Sequence, residues 1–329
     1  MFPLVGLMLV IAGCINQSEQ EVVVYCALDK EFSDAILKDF EAETGIRVLP
    51  KFDQESNKTV GLANEILQQA DKQRCDLFWN NEVLHTLRLK RNGSLLSFDT
   101  DASKNFPPQF VSTDSDWFGF AARARVLLVN TNLLPDKAAW PTTVQDLVDP
   151  KWKNQCAMAR PLFGTTATHA AVLYARLGEE QADQFFSQIV DNVRIEGGNK
   201  QVAVNVSRGR YKFGITDTDD AIIEVEQGHS VAIVFPDQGP EQEGTLFIPN
   251  TLAITKGPNN DNAKRLLEFL LTKEVEEKLA EGSSAQIPLH VGSSVKSRVE
   301  PEEMKVMDVD FQKAADVWEK VKVRMTELF

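Results

Sequence analysis

The sequence predicts an α/β protein in which mainly parallel sheets are flanked by helices. Two patterns point there. Short apolar runs rich in Val, Ile and Phe alternate with amphipathic segments of helical period, and the alternation runs through both halves of the chain. Successive runs are separated by enough residues for a helical crossover, the connection that parallel neighbours need.

The elements follow in order. Residues 22–25 (VVVY) form a buried strand, and Asp29 stands where it can cap the next helix. That helix sets Phe32, Ala35, Ile36 and Phe40 on one face and stops at Gly45. Residues 46–49 are the second strand. A helix carrying Val60, Ala63, Ile66, Leu67 and Ala70 follows, and 76–79 (DLFW) is the third strand. Residues 124–130 (ARVLLVN) read as the strongest strand of the middle region, with Pro135 and Pro141 in the loop after it. A second α/β set then begins. Residues 157–159 lead to Pro161, and Gly164-Thr165-Thr166 opens an apolar helix closed by Gly178. A helix with Phe185, Phe186, Ile189 and Val190 precedes strands at 211–216 and 230–235, and 247–254 is again extended. Helices over 263–271 and 274–280, and one with Phe311, Ala314, Ala315, Trp318 and Val321 along a face, complete the chain.

Composition narrows the function. Apolar content of 43% with 25% charged residues suits a globular protein with ample core. A net charge of −13 argues against a nucleic-acid surface, which needs clustered Lys and Arg to meet phosphates. Beyond residue 21 no apolar segment approaches the ~20 residues of a membrane span. No GxSxG, HExxH, P-loop lysine or GxGxxG occurs, and His85, His169, His229 and His290 show no metal-ligand spacing. Cys26, Cys75 and Cys156 have no paired spacing, so buried free thiols are expected.

The apolar run FPLVGLMLVIAG followed by Cys14 resembles the lipobox of bacterial lipoprotein signal peptides. That resemblance implies a signal peptide over 1–14, lipidation at Cys14, a tether over 15–21, and an extracytoplasmic body anchored on the periplasmic side of a membrane. An apolar tail with no such role is the plainer alternative. Removing residues 1–14 from 329 leaves 315, enough for two domains at ~150 residues each.

Several blocks in a fixed order resemble the bacterial extracellular solute-binding proteins of ABC importers, and among them the ferric-iron-binding branch. They include VVVYCALDKEFSDAILKDFEAETGIRV, DLFWNNEV, ARARVLLVNTNLL, DPKWKNQCAMARPLFGTTATHAA, GRYKFGITDTDDA and NTLAITKGPNNDNAKRLLEFLLTKEVEEKLA. The resemblance implies a type II periplasmic-binding-protein-like fold whose two lobes close on a ligand, with an inner-membrane ABC permease as partner and the chain acting as a monomer. Residues 125–130 and 245–250 look like the crossing strands. Lobe 1 then takes 22–124 plus 249–297, and lobe 2 takes 125–248 plus 298–329.

Ligands of open α/β sheets sit beyond the carboxyl ends of strands. Asp29, Asn81, Glu82, Thr165, Thr166 and the stretch from Asp217 to Asp220 all fall at such ends. In the ferric-binding family the metal takes phenolate and carboxylate oxygens, often with a histidine and a small synergistic anion. The histidine position is Asp29 here, the glutamate position is Asn81 or, shifted by one, Glu82, and the tyrosine pair falls on Thr218 and Asp219. The chain has three tyrosines, Tyr25, Tyr174 and Tyr211, none in that loop. Asp29, Glu82, Asp217, Asp219 and Asp220 are therefore the candidate ligands for ferric iron carried as cargo, which wants anionic oxygen. Asn81, Arg123, Thr165, Thr166 and Thr218 are candidates for contacts to the ligand or its anion; no catalytic cofactor is expected. Each acid has a plainer reading as a helix cap or a dipole complement. The same acids could hold a polyamine, thiamine or phosphonate-like ligand, for which Trp79, Trp117 and Phe120 could supply walls. A carboxylate-pair hydrolase is the weaker alternative.

Overall fold

The computed structural model describes residues 20–53, 60–69, 72 and 74–329. Cys14, the signal segment 1–14 and tether residues 15–19 lie outside the described residues.

The first α/β set runs β1 (Glu21–Cys26), α1 (Lys30–Thr44), β2 (Arg47–Phe52), α2 (Val60–Gln68), β3 (Leu77–Asn80), α3 (Leu84–Arg91) and the short β4 (Leu95–Leu96). β1 lies parallel between β2 and β3, with Val22 opposite Val48 and Val24 opposite Leu77. Val22, Val24, Leu77 and Trp79 are fully buried, as strands covered on both faces require. α1 ends at Gly45, whose φ of 70° is the left-handed conformation that glycine adopts without penalty.

β5 (Phe118–Asn130) is buried over its whole length. The second set follows as β6 (Cys156–Ala159), α4 (Gly164–Leu177), α5 (Glu179–Asn192), β7 (Arg194–Glu196), α6 (Asn199–Ser207), β8 (Phe213–Asp217), α7 (Thr218–Glu226) and β9 (Val231–Val234). β10 (Phe247–Thr255), α8 (Asn260–Leu270), α9 (Lys273–Glu281) and α10 (Phe311–Leu328) end the chain. β6 pairs parallel with both β7 and β8.

The two sets are joined through β5. Its first half, to Ala124, pairs antiparallel with β10; from Arg125 onward it pairs antiparallel with β8 and β9. β10 also pairs with β3, so the order is β2-β1-β3-β10-β5-β8-β6-β7. Each half is thus a parallel three-strand core bordered by antiparallel strands, with β5 common to both. The whole is the mixed α/β architecture that the sequence predicts.

Two differences from the sequence reading have physical causes. β5 starts at Phe118 rather than 124, because Phe118–Ala122 pair with β10 while facing the core. Helix α6 (NKQVAVNVS) escapes propensity, since its valines alternate like a strand. Packing overrides that preference. A Cβ on Gly214 of β8 would stand 2.5 Å from a Val202 methyl, so glycine lets the helix seat closely on the sheet. Cys26, Cys75 and Cys156 are free and buried.

Candidate functional site

Five loops at carboxyl ends of parallel strands open into one cleft. From the first half come the turn after β1, with Asp29, and the turn after β3, with Asn81. From the second come the turns after β6, β7 and β8, leading into α4, α6 and α7. The cleft has a volume of about 800 Å³. Asp29, Asn81, Arg123, Thr165, Thr166, Asp217, Asp219 and Asp220 all line it, so most of the sequence candidates converge.

Their chemistry differs from one to the next. Asp29 begins α1, yet its carboxylate makes no cap bond to that helix. Asp219 and Asp220 stand in the first turn of α7. Oxygen atoms of Asp217, Asp219 and Asp220 lie within 4.8 Å of one another, a spacing that suits a cation. Asp217, however, is saturated. Its Oδ1 accepts from Arg125 at 2.6 Å, and its Oδ2 accepts from Thr165 Oγ1 at 2.5 Å and Asn199 Nδ2 at 2.9 Å. Thr166 Oγ1 donates to Asn199 Oδ1 at 3.1 Å, so both threonine hydroxyls are held in the wall.

Arg123 is buried at 4% exposure and sits among the acids. Its Nη1 is 3.4 Å from Asp219 Oδ2. Burial alone would lower its pKa, but the carboxylates of Asp219, Asp217, Asp29 and Asp220 outweigh that and raise it. Its Nε and Nη2 have no hydrogen-bond partner, and neither does Asn81 Oδ1. Buried donors and acceptors left unmade in a cleft mark where a ligand completes the bonding. The first turn of α4 adds unpaired backbone N–H groups, since no side chain caps it.

Two sequence candidates stand outside the cleft lining. Glu82 is 1% exposed, and its carboxylate accepts from Asn80 Nδ2 at 2.7 Å, His85 N at 2.9 Å, Thr168 Oγ1 at 2.8 Å and Leu84 N. It is consumed in starting α3. Thr218 Oγ1 accepts from Ala124 N at 3.1 Å and is fully buried. The aromatic walls are corrected too. Trp79 and Phe120 pack on each other in the core with ring centres 5.4 Å apart, Trp117 is buried, and the rings lining the cleft are Phe32 and Phe163. Sequence reading also missed Arg160, Lys200 and Arg210 at the cleft mouth. Lone basic residues carry no signal until the fold gathers them.

A model of the family described as bacterial extracellular solute-binding protein matches residues 84–315. The chain belongs to the bacterial extracellular solute-binding proteins. Members of this family are binding proteins rather than enzymes, and membership implies a transported ligand and an ABC permease partner. Among relatives, the chain is 25% identical over 281 residues to iron uptake protein A1 of Synechocystis sp., covering 80% of this chain and 75% of that one. It is 24% identical over 302 residues to the Fe(3+)-binding periplasmic protein of Serratia marcescens, covering 90% and 87%. Among solved structures, iron-bound HitA from Pseudomonas aeruginosa superposes with a TM-score of 0.83 at 20% identity, covering 94% and 99%. This solute-binding protein therefore shares the α/β fold of that structure. Among the described residues, no helix is long and apolar enough to cross a membrane.

Proposed function

We propose that this solute-binding protein captures ferric iron together with a companion oxyanion and delivers it to an ABC importer. One observation carries the reading: the carboxylates of Asp29, Asp219 and Asp220 share a wall with the buried guanidinium of Arg123. Ferric iron wants the acids. A fixed cation beside them repels bare iron, and an anion lying between metal and Arg123 removes the conflict. Asp29, Asp219 and Asp220 then hold the metal, with Asn81 Oδ1 as a further oxygen. Arg123 and the backbone N–H groups at Thr165 and Thr166 hold the anion. Asp217, Glu82 and Thr218 act as framework.

Lobes 22–124 plus 249–297 and 125–248 plus 298–329 close around this ligand as a monomer, and closure is the signal the permease reads. The lipobox-like segment supports anchoring through a lipid on Cys14 at the periplasmic side.

The test is elemental analysis and native mass measurement of protein loaded with ferric chloride and bicarbonate. One iron per chain in the wild type, lost in Asp29→Ala with Asp219→Ala while circular dichroism is unchanged, is expected. Undiminished iron in that double variant removes the assignment. A second reading, a phosphorylated organic ligand, is favoured by the tyrosines: Tyr25, Tyr174 and Tyr211 bond Glu65, Asp183 and Glu196 and none lines the cleft. An organic adduct without iron in the native mass decides for it.

A further inference from the structure

The second half holds a separate cavity of about 510 Å³ that shares no lining residue with the cleft. Helix α4 runs between the two. Thr165 lines the cleft at its start, and Leu177, about 18 Å further along at 1.5 Å per residue, lines the cavity. The walls are apolar: Val172, Leu173 and Leu177 of α4, Phe185 of α5, and Met307 and Val309 before α10. Three acids join them, and two are neutralised. Glu243 pairs with Arg176, while Asp310 caps α10 and lies 3.5 Å from Lys313 Nζ. The third, Asp237, is half-buried in the loop between β9 and β10 and makes no ion pair among the described residues. Its two oxygens share the single N–H of Val144, each at 3.3 Å. Burial pushes its pKa up to about 6 against that N–H, and the charge of Asp146 pushes the same way. Taking a carboxylate out of water with no cation beside it is costly. The fold nevertheless fixes it there. The Asp237 N–H donates to Thr142 O and its carbonyl accepts from Gly244 N, each at 2.9 Å, with φ at 61°. Thr245 N to Lys305 O and Met307 N to Thr245 O, both 2.9 Å, tie that loop to the segment before α10. The cavity is therefore formed before anything enters it, as small-molecule sites usually are.

We propose that this cavity is a second ligand site, for a small organic cation whose ammonium group pairs with Asp237 and whose carbon body lies against Leu173, Phe185 and Met307. The unneutralised charge is single, so a monovalent head matches it. A hard metal ion would ask for several converging oxygens, whereas Glu243 and Asp310 are committed to Arg176 and Lys313. The site lies outside the cleft and does not rest on the iron reading. Charged groups around Asp237 are Asp146 from the turn after Thr143, Arg176 from α4, Glu243 from its own loop, and Asp310 and Lys313 from the start of α10. No histidine lines the cavity.

The test is calorimetric titration of the full chain with phenethylammonium chloride, and with phenethyl alcohol and 3-phenylpropionate as neutral and anionic partners of the same body. The amine is expected to bind, and both partners to bind about tenfold or more weakly. Asp237→Asn keeps an acceptor for Val144 N–H and tolerates the left-handed backbone. It should weaken amine binding about tenfold or more with the circular dichroism unchanged. In the wild type, moving from pH 7.5 to pH 5 protonates Asp237 while the amine keeps its charge, so affinity should fall about tenfold; in Asp237→Asn it should not move. The acids of the cleft could also attract an amine, so Asp29→Ala with Asp219→Ala is titrated too and should bind it undiminished. Failure of the amine to bind, equal affinity in Asp237→Asn, or a wild-type affinity that is flat between those pH values overturns the inference. Loss of binding in the cleft double variant alone does so as well, by placing the amine in the cleft.

Discussion

Arg125 and Asp217 meet behind the cleft with both side chains buried. Charges taken out of water are tolerated when paired, and removing one partner strands the other. Asp217→Asn is expected to cost about 3–5 kcal/mol in urea unfolding; a loss below about 1 kcal/mol would show that the pair holds little. The acids of 217–220 were legible in the sequence as a cluster. Their division of labour was not, because Asp217 finds its arginine 92 residues away. His169 is 5% exposed, in a largely apolar pocket near Met158 and Phe186. Burial, with Arg125 adding repulsion, pushes its pKa down to about 3. In the unfolded chain it titrates near 6.5. The folded state therefore binds that proton more weakly. The stability this gives is full above pH ~6.5 and drains as pH falls toward 3, by at most ~1.4 kcal/mol per pH unit. His169→Gln should flatten the decline in urea midpoint between pH 7 and pH 4; an identical slope would exclude His169 as its source.

At the scale of elements, β5 carries the architecture, since it pairs with strands of both halves. Within β5 the register against β10 slips between Pro249 and Asn250, and Ala121 sits at φ 42°. A left-handed non-glycine residue needs outside support. Glu276 of α9 supplies it by accepting the N–H groups of Ala121, Leu289 and His290, and Asn250 Nδ2 donates to the Ala121 carbonyl. Burial raises the Glu276 pKa against the lowering effect of those three donors. Glu276→Ala leaves two buried donors and a part-buried one unmet and is expected to lose at least ~2 kcal/mol in chemical unfolding. An effect under ~1 kcal/mol would mean that water replaces the carboxylate there. The run ARVLLVN made the middle strand legible, because Val126, Leu127, Leu128 and Val129 are consecutive, β-favouring and fully buried. The slip was not legible, since Glu276, which supports Ala121 there, is 155 residues from it.

At the scale of the molecule, the question is what favours the closed arrangement before a ligand arrives. Glu82 belongs to the turn after β3 in the first half, and Thr168 belongs to α4 in the second; their bond of 2.8 Å joins the halves beside the cleft-lining Asn81. Thr168→Val keeps the shape and removes the donor. Glu82 still accepts from Asn80, Leu84 and His85, so the start of α3 survives. A hydrogen bond to a charged group contributes about 1.5–3 kcal/mol. If it forms only on closure, its loss weakens ligand binding about tenfold or more, because the binding-competent fraction falls. The thermal midpoint should change little, and the radius of gyration of the ligand-free variant in X-ray scattering should exceed that of the wild type. Equal affinity and equal radius would place the Glu82–Thr168 bond in both open and closed forms, and the bias toward closure would then have to lie in the ligand alone.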